Sequence, residues 1–294
     1  MSGPAVTASP KSTVVPSTAA PAAAPAAARR RRSALPRLRA WGSASVRGLI
    51  GFAVLAALYE ALSRLELVDP KLLPPSTVVL PRAAQMAVSP EFLVELWATM
   101  QAVLLGVGIA FLIAVPAGLL IGSYTTVATA TTPIVDFVRS IPGIAIIPLL
   151  VLVLGQGMTM KICIVVYVTL WPLLFNTIYG VRGVDRVAVE TARSFRVGTL
   201  RTWSSVILPS ALPLILTGVR LALATGLTVA IAAEITVGTK DGIGYFILLQ
   251  SYSGMHHDSI FAAVVLAGLV GFFLNWLTVV ASRRWVAWDT REAQ

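Results

Sequence analysis

Long apolar stretches recur along the chain, separated by short polar segments. A helix rises about 1.5 Å per residue, so about 20 apolar residues cross the hydrocarbon layer of a membrane. Six segments reach that length, and they lie approximately at residues 46–65, 97–121, 134–154, 158–181, 209–235 and 260–282. The pattern therefore predicts an all-α membrane protein with six transmembrane helices.

The third predicted span is interrupted by polar and helix-breaking residues. Arg139, Pro142 and Pro148 all fall within or beside its first half. Proline removes a backbone donor and bends a helix, and arginine at bilayer depth is costly. We therefore expect the membrane-crossing part of this span to begin after Ser140.

Both ends of the chain differ from the apolar middle. Residues 1–45 are rich in Ala, Pro and Arg and carry no periodic apolar positions, which is typical of disorder. The pattern predicts a disordered cytoplasmic tail over 1–45, a transmembrane domain over 46–285 and a cytoplasmic C-terminal tail over 286–294.

Composition and charge agree with a membrane protein and suggest its orientation. Of the 294 residues, 56% are hydrophobic and only 12% are charged, against about a quarter in soluble domains. Mean hydropathy is +0.82. The arginine run 29–32 indicates a cytoplasmic N-terminus, and six crossings return the C-terminus to the same side. In this topology most of the 23 Lys and Arg residues are cytoplasmic. The exceptions are Arg64, Lys71, Arg82, Lys161 and Lys240 in external segments, and Arg220 inside the bilayer. Orientation thus explains the net charge of +10, and no nucleic-acid partner is needed.

The connection over residues 182–208 is amphipathic, which is unusual for a loop. Its apolar and small residues recur at three- and four-residue spacing, as in a helix. They are Val184, Val187, Ala188, Thr191, Ala192 and Phe195. Asp185 is positioned to cap this helix, Gly198 to form a turn, and Thr199 to cap a second short helix.

Two interpretations of this amphipathic loop remain open. It could lie on acidic lipid, which its five arginines favour, or insert into a groove on a cytoplasmic protein. The small residue Ala192 beside Glu190, and the turn at Gly198, favour close packing against a protein.

The loop resembles a motif of a known transporter family. Glu190-Thr-Ala192, followed by Ile207-Leu208-Pro209, is similar to the EAA loop of ABC importer permeases. Three further segments resemble the nitrate, sulfonate, taurine and bicarbonate branch of that family. They are residues 73–76, residues 140–149 followed by Gly155, and residues 208–213 continuing to Gly218, Arg220 and Glu234.

The resemblance implies a type I ABC importer permease (MetI-like) fold in the bacterial cytoplasmic (inner) membrane. It implies a homodimer of permeases, a cytoplasmic ABC ATPase dimer and an external substrate-binding protein as partners. ATP and magnesium would then be bound by the partner subunits, with no cofactor on this chain. The ATPase-docking residues that it implies are Glu190, Ala192, Arg193, Phe195, Arg196 and Gly198.

The sequence departs from the family pattern at two positions. Arg196 stands where the family usually has a turn glycine, so we expect Gly198, two residues later, to provide the bend. Ala102 stands where relatives commonly have arginine, so an ion pair typical of the family is expected to be absent.

Chemistry-bearing motifs are scarce in this sequence. No segment fits the phosphate-binding pattern Gly-x4-Gly-Lys-Ser/Thr, so hydrolysis of ATP must come from a partner. Cys163 is the only cysteine, and His256 and His257 have no ligand neighbours at metal-binding spacing. The sequence therefore predicts a transport subunit that is neither an enzyme nor a metalloprotein.

Polar groups inside the predicted spans are the candidates for a translocation pathway. Arg220 and Glu234 are fourteen residues apart on one predicted span and face broadly the same direction, and Asn176 lies on another. They either border the pathway or are satisfied by neighbouring helices. For Asn176 the structural role is favoured. For Arg220 and Glu234 the two alternatives remain equal.

Rival functions and the substrate stay open at the level of sequence. An ion-coupled secondary transporter or channel is the main rival, although no internal repeat supports it. A non-transporting scaffold whose loop recruits a partner is another. Sulfonates, taurine-like compounds, nitrate, bicarbonate and heterocyclic vitamin precursors all remain possible substrates.

Overall fold

The computed structural model describes residues 37–65, 72–254 and 257–285, and within these ranges the regular structure is entirely helical. The helices are α1 (Arg37–Arg64), α2 (Ser76–Met86), α3 (Pro90–Ser123), α4 (Thr125–Arg139), α5 (Gly143–Leu154), α6 (Met158–Arg182), α7 (Arg186–Ser194), α8 (Thr199–Thr202), α9 (Leu208–Val237), α10 (Ile243–Ser253) and α11 (His257–Trp285). A π-helical turn at Trp203–Ile207 connects α8 to α9. The chain divides into two units, residues 1–53 and 54–294, of which the first is described only from Arg37 onward, as the start of α1.

Four of the described helical segments are long and apolar enough to cross a membrane. They are α3, α6, the continuous segment Thr199–Val237 and α11. The bent pair of α4 and α5 passes the same test together, which gives up to five spans. The all-helical membrane class is thus confirmed. The first predicted span is helical, as the second half of α1, but its crossing of the membrane stays a prediction.

The third predicted span is broken. α4 and α5 meet at an angle of 82°, with the break at residues 140–142. The Tyr167 hydroxyl on α6 lies 2.7 Å from the Val138 carbonyl oxygen and 2.9 Å from that of Ile141, so it satisfies carbonyls that the break exposes. A single straight span over 134–154 is therefore wrong, and the apolar helix begins after Ser140, as Pro142 suggested.

Two other boundaries differ from those predicted. α1 begins at Arg37, inside the predicted tail 1–45, because no proline interrupts the chain between Pro36 and Pro70. The second helix of the loop is continuous with α9 instead of being a separate short element. The structure also contains α2 and α10, which the search for long apolar segments could not detect. The rest of the predicted N-terminal tail, up to residue 36, and the C-terminal tail 286–294 lie outside the described residues.

α6 lies at the centre of the bundle, packed between α3 and α9. Small residues allow these helices to approach closely, as is common in membranes. A Cβ atom on Gly118 of α3 would lie 2.7 Å from Thr177 Cβ, and one on Gly218 of α9 would lie 3.0 Å from Asn176 Cβ. Glycines on both neighbours thus allow close packing against two adjacent positions of α6.

Candidate functional site

The predicted coupling loop folds into α7, whose first turn is capped as expected. The Asp185 carboxylate accepts a hydrogen bond from the Val187 N–H at 2.9 Å, which confirms the predicted N-cap. The inner side of α7 packs through Val189 on the small apolar cluster that contains Val181 and Ile207. Ala192 is also buried. It therefore helps to seat α7 within its own chain instead of presenting a surface to a partner.

The outer side of α7 presents apolar side chains to solvent. Val187 is 66% exposed and Phe195 is 79% exposed, and Leu200 at the start of α8 is 84% exposed. Ala188 and Thr191 between them are also exposed. We call these five residues the outer face. Large exposed apolar side chains on one side of a helix make it a candidate interaction site.

The turn after α7 is made by Arg196 and not by Gly198. Arg196 adopts a left-handed conformation, with φ of +53°. The Val197 N–H donates to the Ala192 carbonyl at 3.0 Å, as in a helix-terminating Schellman turn. Gly198 has φ of −60° and ψ of 151°, an extended conformation that any residue adopts.

The prediction that Gly198 provides the bend is therefore wrong. The left-handed residue must directly follow the last helical turn, and Gly198 comes too late in the chain to fill that position. The predicted cap at Thr199 is also wrong. α8 begins after Gly198 without a side-chain cap, because Thr199 is already its first helical residue.

The three predicted pathway residues contact different parts of the bundle. Arg220 Nε on α9 donates a hydrogen bond to Asn275 Oδ1 on α11, and the Arg220 residue is exposed. Asn176 Nδ2 donates to the Pro172 carbonyl at 2.8 Å, within α6. Glu234 is completely buried and faces α3 and α6. The structure thus places Arg220 and Glu234 in separate surroundings.

Glu234 belongs to a buried ionic network that the sequence did not reveal. Its carboxylate lies 3.3 Å from Lys161 Nζ, and both side chains are 0% exposed. Lys161 Nζ also lies 2.6 Å from Asp241 Oδ1, and the Thr99 hydroxyl donates to Glu234 at 2.9 Å. Lys161, which the sequence analysis assigns to an external segment, is not in an exposed loop. It lies within the first turn of α6, where a carboxylate from α9 compensates its charge.

The same network receives the free N–H groups at the start of α10. The N–H groups of Gly242, Ile243 and Gly244 donate to Glu95 at 2.5 Å, Thr99 at 2.8 Å and Glu234 at 2.9 Å. Acceptors and negative charge at this end of a helix satisfy its orphan donors. We call Glu95, Thr99, Lys161, Glu234 and Asp241 the ionic network. It joins α3, α6, α9 and α10.

The sequence does contain a signal for this network. Lys161 lies just inside the start of one predicted span, and Glu234 lies just inside the end of another. If the two spans run antiparallel, these positions come to the same end of the bundle. An opposite-charge pair at equal depth on antiparallel spans could thus have indicated the contact.

Comparison with known proteins identifies the family. Residues 114–286 match the family model described as "Binding-protein-dependent transport system inner membrane component". That match covers more than half of the chain and includes α7 and most of the spans. The chain belongs to this family.

Relatives of this permease are named for the transport of small solutes. The taurine transport system permease protein of Escherichia coli is 30% identical over 241 residues, covering 80% of this chain and 87% of the relative. A probable ABC transporter permease protein of Brucella abortus is 30% identical over 221 residues, covering 74% and 87%. The bicarbonate transport system permease protein of Synechococcus elongatus is 30% identical over 186 residues, covering 63% and 64%. As in these relatives, the chain is a permease subunit and not an enzyme.

Solved structures support the fold. The permease matches a chain of the MetNI methionine ABC transporter in an inward-facing conformation, with a TM-score of 0.59 and 18% sequence identity. The match covers 65% of this chain and 94% of that one. An amino acid ABC transporter crystallised with histidines gives a TM-score of 0.55 at 18% identity. The chain therefore has the MetI-like permease fold.

Proposed function

We propose that the permease imports a small solute with an oxyanion group, of the sulfonate, taurine or bicarbonate type, driven by ATP hydrolysis on a cytoplasmic ATPase dimer. The names of its relatives support this substrate class. The chain would act as a homodimer and receive its solute from an external substrate-binding protein. Both termini would be cytoplasmic, as the N-terminal arginine run favours.

The observation that carries the proposal is the outer face of α7. Its exposed apolar residues lie beside Glu190, while the opposite side of the helix is anchored in the bundle. A groove on the ATPase would cover this face and remove it from water. Glu190, Arg193 and Arg196 are all exposed and would add polar contacts at the rim. Ala192 would act from beneath by setting the position of the helix.

The connection from α7 to the membrane supports a role in coupling. From Thr199 the chain runs as one continuous helical segment to Val237. A helix transmits displacement along its axis because its backbone hydrogen bonds are internal. Movement of α7 by the ATPase would therefore pass through the short turn at residues 195–198 and then travel along one helix to α9, and through its close packing to α6.

Among the pathway candidates, the structure favours Arg220 as a residue that meets the solute. It is exposed, carries a positive charge that suits an anion, and is held by Asn275. Glu234 and Asn176 already have partners within the chain, and we propose that they act by fixing helix positions.

The docking proposal is tested by reversing the charge of Glu190. We expect Glu190→Lys to insert normally but to lose ATPase co-purification and at least about 90% of ATP-dependent uptake, since it places a like charge among the arginines of α7. Phe195→Asp should do the same, because it puts a charge into the apolar contact. Arg201→Glu, an equal reversal beside the outer face, is the matched control and should retain uptake.

The co-purified subunits decide between the proposal and its rivals. An ATPase and a substrate-binding protein should accompany the wild-type chain from its native membrane. Normal uptake by Glu190→Lys would contradict the docking role. Uptake that persists without any ATPase would instead identify an ion-coupled transporter.

A further inference from the structure

The side of α7 away from the outer face borders a cavity of about 750 Å³. Its other walls are the end of α3, the start of α4 and the end of α6, with Trp203 closing one side. Three charged residues of α7 line it, together with Val189: Arg186, Glu190 and Arg193, at positions i, i+4 and i+7 of one helical face. Because these residues lie on a different side of the helix from Val187 and Phe195, the cavity and the outer face are separate surfaces.

Positive charge in the cavity exceeds negative charge. Arg182 at the end of α6 joins Arg186 and Arg193, so three guanidinium groups face one carboxylate, that of Glu190. Within the described part of the chain, the side chains of these three arginines form no ion pair. Guanidinium groups that line one cavity without an ion-pair partner favour the binding of an oxyanion.

A second observation comes from the opposite wall. The hydroxyl oxygen of Ser123 is buried and has no hydrogen-bond partner, and Ser123 lines the cavity. An unpaired buried hydroxyl is destabilising, and a ligand oxygen that reached Ser123 would accept its proton. Thr125 beside it begins α4, a helix of 15 residues that has no side-chain cap at its N-terminus. The free N–H groups and positive dipole of that end also suit an anion.

We propose that this cavity binds a phosphate group. The guanidinium groups of Arg182, Arg186 and Arg193 would donate from one side, and Ser123 and the first turn of α4 from the other. Each arginine can bind phosphate through two parallel N–H groups, so three arginines around one cavity suit this ligand. The site goes beyond the proposed import function, and it lies on this chain alone.

The position of the cavity suits a group at the membrane surface. Ser123 ends α3 and Arg182 ends α6, so the cavity opens where two spans leave the apolar layer. Phosphate could therefore arrive as the headgroup of an acidic phospholipid or as free phosphate from solution. Bound between α7 and the α3–α4 corner, it would fix the coupling helix against the bundle.

The test measures binding to the purified full-length chain without its partners, so failure of ATPase docking cannot affect it. One arm titrates inorganic phosphate into the chain in phosphatidylcholine nanodiscs, by calorimetry. The other compares retained phosphatidylglycerol with phosphatidylcholine, by native mass spectrometry. Binding in the first arm identifies free phosphate, and retention of phosphatidylglycerol alone identifies the lipid headgroup.

Substitutions in the cavity are expected to change phosphate binding in opposite directions. Arg186→Gln and Arg193→Gln should each weaken binding about tenfold, and Glu190→Gln should strengthen it several-fold because it removes the opposing charge. Arg201→Gln, in the same loop but outside the cavity, should leave binding unchanged. Equal losses in Arg201→Gln and Arg186→Gln would show diffuse attraction to charge and overturn the site, as would no binding in either arm.

Ser123→Ala tests whether the unpaired hydroxyl belongs to a ligand site or is only a packing defect. Without phosphate or acidic lipid, it should raise the melting temperature, because an unpaired buried hydroxyl is removed. In their presence, it should reduce the ligand-dependent gain in melting temperature. A variant that melts like the wild type both with and without ligand would overturn the role of Ser123 in the site.

Discussion

The two ends of α6 contrast in how their charges are satisfied. Lys161 near one end is completely buried and shares its charge with Glu234 and Asp241. At the other end, roughly 30 Å away by helical rise, Arg182 faces a cavity next to α7, which has exposed apolar residues. The first end is complete within one chain, whereas the second has the features of a surface that needs other molecules.

This difference follows from the cost of burying charge. A buried ion loses several kcal/mol of hydration, which is recovered only when opposite charges and hydrogen bonds surround it. The ionic network meets that condition, because helix N–H groups and Thr99 donate to its carboxylates. It therefore holds α3, α6, α9 and α10 in one arrangement. Among the described residues, the α7 end has no comparable ionic network and is held in the bundle by apolar contacts.

Breaking the ionic network should give the largest effect on stability. Lys161→Met leaves the Glu234 carboxylate buried without its cation, and we expect the free energy of unfolding to fall by about 3–5 kcal/mol. The measurement is the thermal unfolding of the purified chain in detergent. In the double variant Lys161→Met/Glu234→Gln no buried charge is left uncompensated, since the Asp241 side chain is 46% exposed, so most of that stability should return. A single variant as stable as the wild type would show that the network does not hold the helices together.

Packing around the network should be nearly as sensitive. A Cβ atom on Gly244 would meet the Ile231 carbonyl oxygen and lie 2.7 Å from Glu234 Cβ. We therefore expect Gly244→Ala to reduce the free energy of unfolding by about 1–3 kcal/mol, as overpacking does. Gly268→Ala on α11 is the matched control, since nothing lies within 4 Å of its Cβ position. It should be neutral or slightly stabilising in the same assay, and equal losses in both variants would refute the packing argument.

The sequence was sufficient for the elements that depend on one segment at a time. The four long spans α3, α6, α9 and α11 follow from apolar length alone, and the cap at Asp185 follows from one residue type at a helix start. Such features need no knowledge of the neighbouring helices, which is why α6, α9 and α11 were predicted within a few residues, although α3 begins at residue 90 and not at 97.

Features that depend on pairs of segments were not predictable in the same way. Lys161 is tolerated inside α6 because α9 brings Glu234 beside it. The residues next to Lys161 in the sequence do not show this partner, and they suggested an external segment. The outer face of α7 shows the same limit. Periodicity placed Val187 and Phe195 on one apolar side with Ala192, but only packing shows that Ala192 is buried while the other two remain exposed.

The smallest effects should come from the turn at the other end. Arg196 is left-handed, which is unfavourable for a residue with a Cβ by about 1–2 kcal/mol, whereas glycine is free of that cost but loses about 0.5–1 kcal/mol of chain entropy. We therefore expect Arg196→Gly to raise the free energy of unfolding by about 0.5–1 kcal/mol. Gly198→Ala should also be tolerated, because Gly198 is extended and has nothing within 4 Å of its Cβ position.

Thermal unfolding of the two variants, with Arg196→Ala as the control that keeps the Cβ, locates the turn. Arg196→Ala removes the charge and the long side chain without relieving the backbone, so it should gain nothing from the change in conformation. A gain in Arg196→Ala equal to that in Arg196→Gly would assign the effect to charge. Marked destabilisation by Gly198→Ala would return the bend to Gly198. Either result would show that backbone strain at Arg196 is not one of the differences between the two ends of α6.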